Sequence, residues 1–177
     1  MSTMSTIGNT VNDEKFAQIY TVDETVVQLL NNERTIKNVK PGVSSTALGF
    51  HAYLSGIHHI RISIDAGRAT FGIRSRNIPP ILDEYGSNCY NYSPSMYGWV
   101  KDCGRILDGI FYRYSDDQLI RGGPVYTITL NCDEHRLSMV DESTRIQDDI
   151  EVDICRAPLP WCLLIGLTRS ISQVSLL

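Results

Sequence analysis

No apolar run in this sequence is long enough to span a bilayer as a helix. The longest, Trp161 to Leu167, falls far short of the roughly 20 residues such a span needs. The opening residues, Met1-Ser-Thr-Met-Ser-Thr-Ile-Gly8, carry neither a basic stretch nor an apolar core, so they do not read as a secretory signal. Basic residues never cluster beyond a scattered pair. With 16 of them against 20 acidic residues the net charge is −4, which argues against phosphate-backbone binding as the main activity. The cysteines (Cys89, Cys103, Cys132, Cys155, Cys162) form an odd set with no C-x-x-C pair, so neither a disulfide framework nor a structural zinc site is expected. Small thiols in a reducing compartment are the plainer reading. The expectation is a soluble, cytoplasmic protein with no membrane or nucleic-acid partner.

The short motifs of cofactor and hydrolase chemistry are missing too. There is no G-x-G-x-x-G, no P-loop and no G-x-S-x-G elbow. Gly122-Gly123-Pro124 is a glycine cluster, but its proline removes one of the N–H groups an anion nest would use. No cofactor and no catalytic residue is therefore expected.

What is present is a chain of 177 residues, 42% hydrophobic and 20% charged, which fits one domain with a sizeable core. Residues 1–22 read as an N-terminal tail, flexible or with one short helix over Glu14–Tyr20. From residue 23 onward the period is two. Thr25–Leu30 and Arg34–Val39 read as paired strands around Asn31-Asn32. Ile60, Ile62 and Ile64 alternate with polar neighbours, and Thr70–Ser75 reads as the return strand. Tyr126–Leu130 and Arg136–Val140 form a second hairpin, and Ile150, Val152 and Ile154 mark another amphipathic strand. Trp161–Leu167 suits a strand buried on both faces. About ten short strands and no convincing helix predict an all-β sandwich or barrel. Residues 77–118 interrupt the period and read as long loops rich in tyrosine, a favoured place for binding.

Two clusters of reactive residue types are more plausibly structural. His58 and His59 are adjacent on a strand, so they point to opposite faces and cannot share a metal. Cys132-Asp-Glu-His135 sits at a hairpin tip, where polar residues are expected and water would oppose a tuned acid–base pair. The tyrosines Tyr85, Tyr90, Tyr92 and Tyr97, with Trp99, offer a rigid amphipathic surface at low entropic cost.

The order of these pieces resembles the SPRY domain family, as a divergent member. The carrying residues are Ala47-Leu-Gly-Phe-His-Ala-Tyr-Leu-Ser-Gly56 before the strand Ile57–Ile64, then Phe71-Gly-Ile73, then Tyr85-Gly-Ser87 and Tyr97-Gly-Trp99 with Gly104. They continue with the hairpin Val125–Met139 and end with Leu159-Pro-Trp161 and Gln173–Leu177. The resemblance covers roughly residues 25–177. It implies a bent two-sheet antiparallel β-sandwich, a concanavalin-like jelly roll, over residues 23–177. It also implies a monomeric, non-catalytic module that recognises a short peptide or partner surface through loops at one end, in some relatives as a substrate receptor of a ubiquitin ligase. Carried across, the partner-binding residues would be Ser44, Ser45, Tyr85, Tyr90, Tyr92, Met96, Tyr97, Tyr112 and Tyr114. A lectin-like carbohydrate binder is the alternative on the same architecture, since fold alone does not choose between them. An enzyme would need a pocket gathering two of His51, His58, His59 and His135.

Overall fold

The computed structural model describes residues 7–79, 94–115, 122–168 and 171–177. Within them the chain forms two sheets. The first runs, edge to edge, β13 (Gln147–Glu151), β12 (Arg136–Asp141), β11 (Val125–Asn131), β6 (Ile57–Ala66), β15 (Gln173–Leu176), β4 (Thr35–Asn38) and β3 (Val27–Leu30). The short β1 (Asn9–Thr10) adds to β6 in parallel. The second sheet runs β10 (Ile110–Arg113), β9 (Gly104–Leu107), β8 (Tyr97–Val100), β7 (Ala69–Ser75), β14 (Trp161–Leu167), β5 (Ser45–Gly49) and β2 (Phe16–Thr21). Every pair apart from β1 with β6 is antiparallel, and the expected all-β, two-sheet sandwich is what the chain adopts.

The core follows from strand alternation. From the first sheet Ile36, Ile60, Ile62, Ile64, Ile128, Leu130, Leu137, Ile150 and Val174 turn inward; from the second, Phe16, Phe71, Ile73, Trp99, Trp161, Leu163 and Ile165 meet them. The opposite face of the second sheet is buried as well, with Leu48, Met96, Val100, Ile106, Cys162 and Leu164 clustered there. This explains why all seven residues of β14 are buried, as its continuous apolar run predicts. The β7–β8 pairing depends on two glycines placed opposite each other, Gly72 and Gly98, flanked by Phe71 opposite Trp99 and Ile73 opposite Tyr97. A Cβ on Gly72 would lie 2.1 Å from the Tyr97 carbonyl oxygen, and one on Gly98 2.2 Å from that of Phe71, so no side chain fits between these strands.

Three expectations are corrected. The segment expected as a tail or a short helix forms strands β1 and β2. Its order comes from tertiary partners: β2 pairs with β5, and the buried Glu14 carboxylate accepts from Phe50 N at 2.7 Å, from His51 N at 3.2 Å and from the Tyr53 hydroxyl. The stretch 77–118, read as loop, contains β8, β9 and β10, each only four residues long and therefore too short to show a period. Ser45, which the resemblance would put in a partner-binding loop, begins β5.

Arg74 is a polar exception within the apolar outer face of the second sheet. It is fully buried, and its Nε donates to Ser75 O at 3.0 Å. Neither Nη1 nor Nη2 meets an acceptor among the described residues. Burial pulls its pKa below the usual guanidinium value.

Two measurements test this packing. Ile62→Ala and Leu130→Ala, both at fully buried positions, each lower the unfolding free energy in urea by about 2–5 kcal/mol. Arg74→Met, which removes an uncompensated buried cation while keeping most of the volume, raises the melting temperature; a lower one would show that Arg74 has an anionic partner in solution.

Candidate functional site

At one end of the sandwich the inner faces of β8, β9, β12 and β13 do not close completely. Alternation places Asp148 of β13 on the same face as buried Ile150, and places Trp99 and Arg105 on the inner faces of β8 and β9. An acid therefore points between the sheets, and the opposite sheet surrounds it with donors. Asp148 Oδ2 accepts from Trp99 Nε1 at 2.8 Å, from Arg105 Nε at 2.7 Å and from the Tyr114 hydroxyl at 2.6 Å. Its Oδ1 accepts from Arg105 Nη2. Burial alone would raise the Asp148 pKa, but the hydrogen bonds from Arg105, Tyr114 and Trp99 outweigh it and hold the carboxyl below the usual carboxylate range. Tyr114 shifts the other way, upward, through burial and its bond to the same carboxylate.

Beside this clamp lies a cleft of about 220 Å³. Phe71, Trp99, Tyr126 and Met139 form its apolar walls, and Lys101, Asp102, Asp141 and Thr144 stand around it. The three rings form a continuous group, with the Phe71 centroid 5.8 Å from Trp99 and 4.9 Å from Tyr126. The two carboxylates brace the segment at Gly122-Gly123: Asp102 accepts from Gly122 N at 2.8 Å and Asp141 from Gly123 N at 2.7 Å. Asp141 also accepts from Ser143 N at 2.8 Å and Thr144 N at 3.1 Å, which fixes the β12–β13 turn. A Cβ on Gly122 would lie 2.3 Å from the Tyr126 hydroxyl oxygen and 2.5 Å from Asp141 Oδ2, so a side chain there would displace both groups. Burial raises the Tyr126 pKa, and the nearby Asp102 and Asp141 raise it further. The cleft is smaller than the about 300–1,000 Å³ usual for small-molecule pockets, so its size suits one bulky side chain.

Strand register divides the residues expected at the partner-binding rim. Ser45 pairs with Leu167, which pairs with Ala69, and Lys101 N bonds Ala69 O at 3.0 Å, so Ser44 and Ser45 share an end of the second sheet with the cleft. Tyr97 pairs with Ile73, toward Ser75 at the other end, and Met96 precedes it. Ser44, Ser45, Met96 and Tyr97 are all buried, which leaves them little surface to offer a partner. The last two pack because β8 is a central strand: Tyr97 joins the inner core and Met96 the outer cluster. Tyr114 lines the cleft, and Tyr112 is 50% exposed on the edge strand β10. Tyr85, Tyr90 and Tyr92 lie outside the described residues. Asp148, Asp102 and Asp141 were missed. The first could have been found as an acid two residues before Ile150, on the inward face of a strand.

The reactive clusters are kept apart. His58 Nε2 lies 2.7 Å from Ser55 O, while His59 Nδ1 lies 2.8 Å from Thr129 Oγ1. Cys132 is in the core with its thiol pushed up to about 11 by burial and then by Asp133, whereas Asp133 itself caps Gly56 N at 2.9 Å. Among the described residues no three His, Cys, Asp or Glu side chains gather as metal ligands, and Cys103, Cys132, Cys155 and Cys162 are free thiols.

No protein-family model matches the sequence, and no curated protein does. Solved structures do match. The TRIM65 PSpry domain superposes with a TM-score of 0.66 at 12% identity, covering 86% of this chain and 84% of that one. The SPRY domain of human HERC1 gives 0.61 at 12% identity over 87% and 95% of the two chains. Stonustoxin gives 0.64 at 11% identity over 92% of this chain, which spans only 27% of the toxin's. The chain therefore has the SPRY fold, as the collinear motifs imply.

The clamp is testable by stability. Asp148→Ala strands the Trp99, Arg105 and Tyr114 donors and lowers the unfolding free energy by about 3 kcal/mol. Because the folded Asp148 pKa lies below its unfolded value, the clamp's contribution is complete above the ordinary carboxylate pKa of about 4 and fades as pH falls through the lower folded one. The difference in melting temperature between wild type and Asp148→Ala should hold from pH 7 to about 5 and shrink in stronger acid.

Proposed function

We propose that this chain is a non-catalytic protein-interaction module that recognises a partner peptide by taking one of its side chains into the inter-sheet cleft. The observation that carries this reading is a cleft with aromatic walls and polar residues around it, held by a half-buried carboxylate that accepts from Trp99, Arg105 and Tyr114. A rigid apolar pocket ringed by polar groups is how interaction hot spots are built. The SPRY fold agrees with such a role. Exposed Tyr112 on the neighbouring edge strand would extend the contact, and Tyr85, Tyr90 and Tyr92 are further rim residues in this proposal. Service as a substrate receptor in a ubiquitin ligase is one setting for such a module.

The test is capture from cell lysate with wild type, Thr144→Trp and a Tyr85→Ala/Tyr92→Ala double variant. Thr144 is an exposed rim position, so tryptophan there obstructs the cleft without disturbing the core. A partner lost at least tenfold by Thr144→Trp, with an unchanged melting temperature, supports the cleft. Loss only in the tyrosine variant would move the site to that segment, and capture of glycans instead of protein would favour the lectin-like reading.

A further inference from the structure

Taking the cleft as the recognition site, we infer that the side chain it accepts is basic, an arginine or lysine of the partner. Three independent features of the lining converge on this. The first is charge. Arg105 is already neutralised by its paired bonds to Asp148, whereas Asp102 and Asp141 line the cleft and, among the described residues, are engaged by backbone N–H groups rather than by cations. Asp102 Oδ2 accepts no hydrogen bond among the described residues. Among the described lining residues Lys101 is the opposing charge, and with Arg105 paired the acids are in excess by one.

The second feature is an unspent hydroxyl. Tyr126 is only 3% exposed and lines the cleft, yet its hydroxyl has no hydrogen-bond partner among the described residues. A hydroxyl that faces a cleft can bond whatever enters it, and the lone pairs of a phenol flanked by two carboxylates favour a donor. Guanidinium and ammonium groups carry only donors.

The third is the aromatic wall. Phe71, Trp99 and Tyr126, all nearly fully buried, line the cleft with adjoining rings, and their quadrupoles favour a cation held beside them. An acidic side chain would meet two carboxylates and find one lysine. An apolar one would leave the Tyr126 hydroxyl unpaired.

The protein's two tryptophans make the test direct. Trp99 Nε1 donates to Asp148 at the cleft, while Trp161 Nε1 donates to Ala157 O at 2.9 Å and provides an internal reference. The full chain is titrated with N-acetyl-arginine methylamide, and separately with the glutamate and leucine analogues, while the two indole N–H resonances are followed by NMR. The arginine probe should shift the Trp99 resonance and leave Trp161 still. Tyr126→Phe removes only the unpartnered hydroxyl and should keep the melting temperature. Asp102→Asn keeps the acceptor for Gly122 N and, like aspartate, tolerates the positive φ of 57° at this position. Each should weaken the arginine probe by about tenfold. A Trp99 response to the glutamate or leucine probe but not to arginine overturns the inference, as does arginine binding unaltered in both variants. A partner lost by Thr144→Trp alongside a silent arginine titration overturns the basic-side-chain assignment alone. A partner retained by Thr144→Trp, with a selective arginine shift, overturns the recognition reading and leaves the cleft's chemistry standing.

Discussion

One carboxylate, shared among three side chains of the opposite sheet, sets the shape of the end of the sandwich where the cleft lies. Asp148 sits on the edge strand β13, and its partners Trp99, Arg105 and Tyr114 belong to β8, β9 and the chain just beyond β10. A lone buried carboxylate would drive these edges apart, since its desolvation cost is large. Four charge-assisted bonds offset that cost and fix the separation of the sheets at a distance set by side-chain length. Apolar side chains in those positions would let the edges collapse, and the space lined by Phe71 and Tyr126 would close. The cleft is thus a consequence of polar rather than apolar closure.

The same economy recurs at the N-terminal segment. Glu14 is buried without a cation, yet its two oxygens collect the Phe50 and His51 amides and the Tyr53 hydroxyl, and through them β2 is attached beside β5. Two inward acids therefore organise the periphery of a core that is otherwise built from alternating Ile, Leu, Val and aromatic residues. That core explains how the fold is shared with SPRY domains at 12% identity. Volume and pattern are what a sandwich core demands, and many sequences meet them. The more demanding element is the Gly72–Gly98 pair, where the backbones approach too closely for any side chain.

The titratable groups at this end of the molecule are mostly engaged by partners within the protein. Among the cleft's described lining residues Asp148 is paired with Arg105, and Asp102 and Asp141 with backbone amides, while His58, His59 and Cys132 are held elsewhere by Ser55, Thr129 and the core. What remains open toward a ligand is a hydroxyl, two acids and three rings.

The period-two runs at Ile57–Ile64 and Tyr126–Leu130 were legible because each is long enough to display its buried face, and the continuous apolar run Trp161–Leu167 because it shows two; with the Phe-Gly-Ile and Tyr-Gly-Trp motifs they determined the sandwich. The four-residue strands β8, β9 and β10 were not, since a segment that short fits loop and strand equally well until it has a neighbour. Nor was β2, whose order is supplied by β5 and by a carboxylate reaching 36 residues along the chain from Glu14 to Phe50. The tyrosines were read as a surface because aromatic loop residues so often are one, but Tyr97 is drawn into the core by its place on a central strand. Sequence alone thus determined which residues alternate and therefore which faces are apolar. Which acid meets which donor across the sheets depends on strand order and register, and only the folded chain decides those, because hydrogen bonds between residues 34 to 49 positions apart leave no local signature.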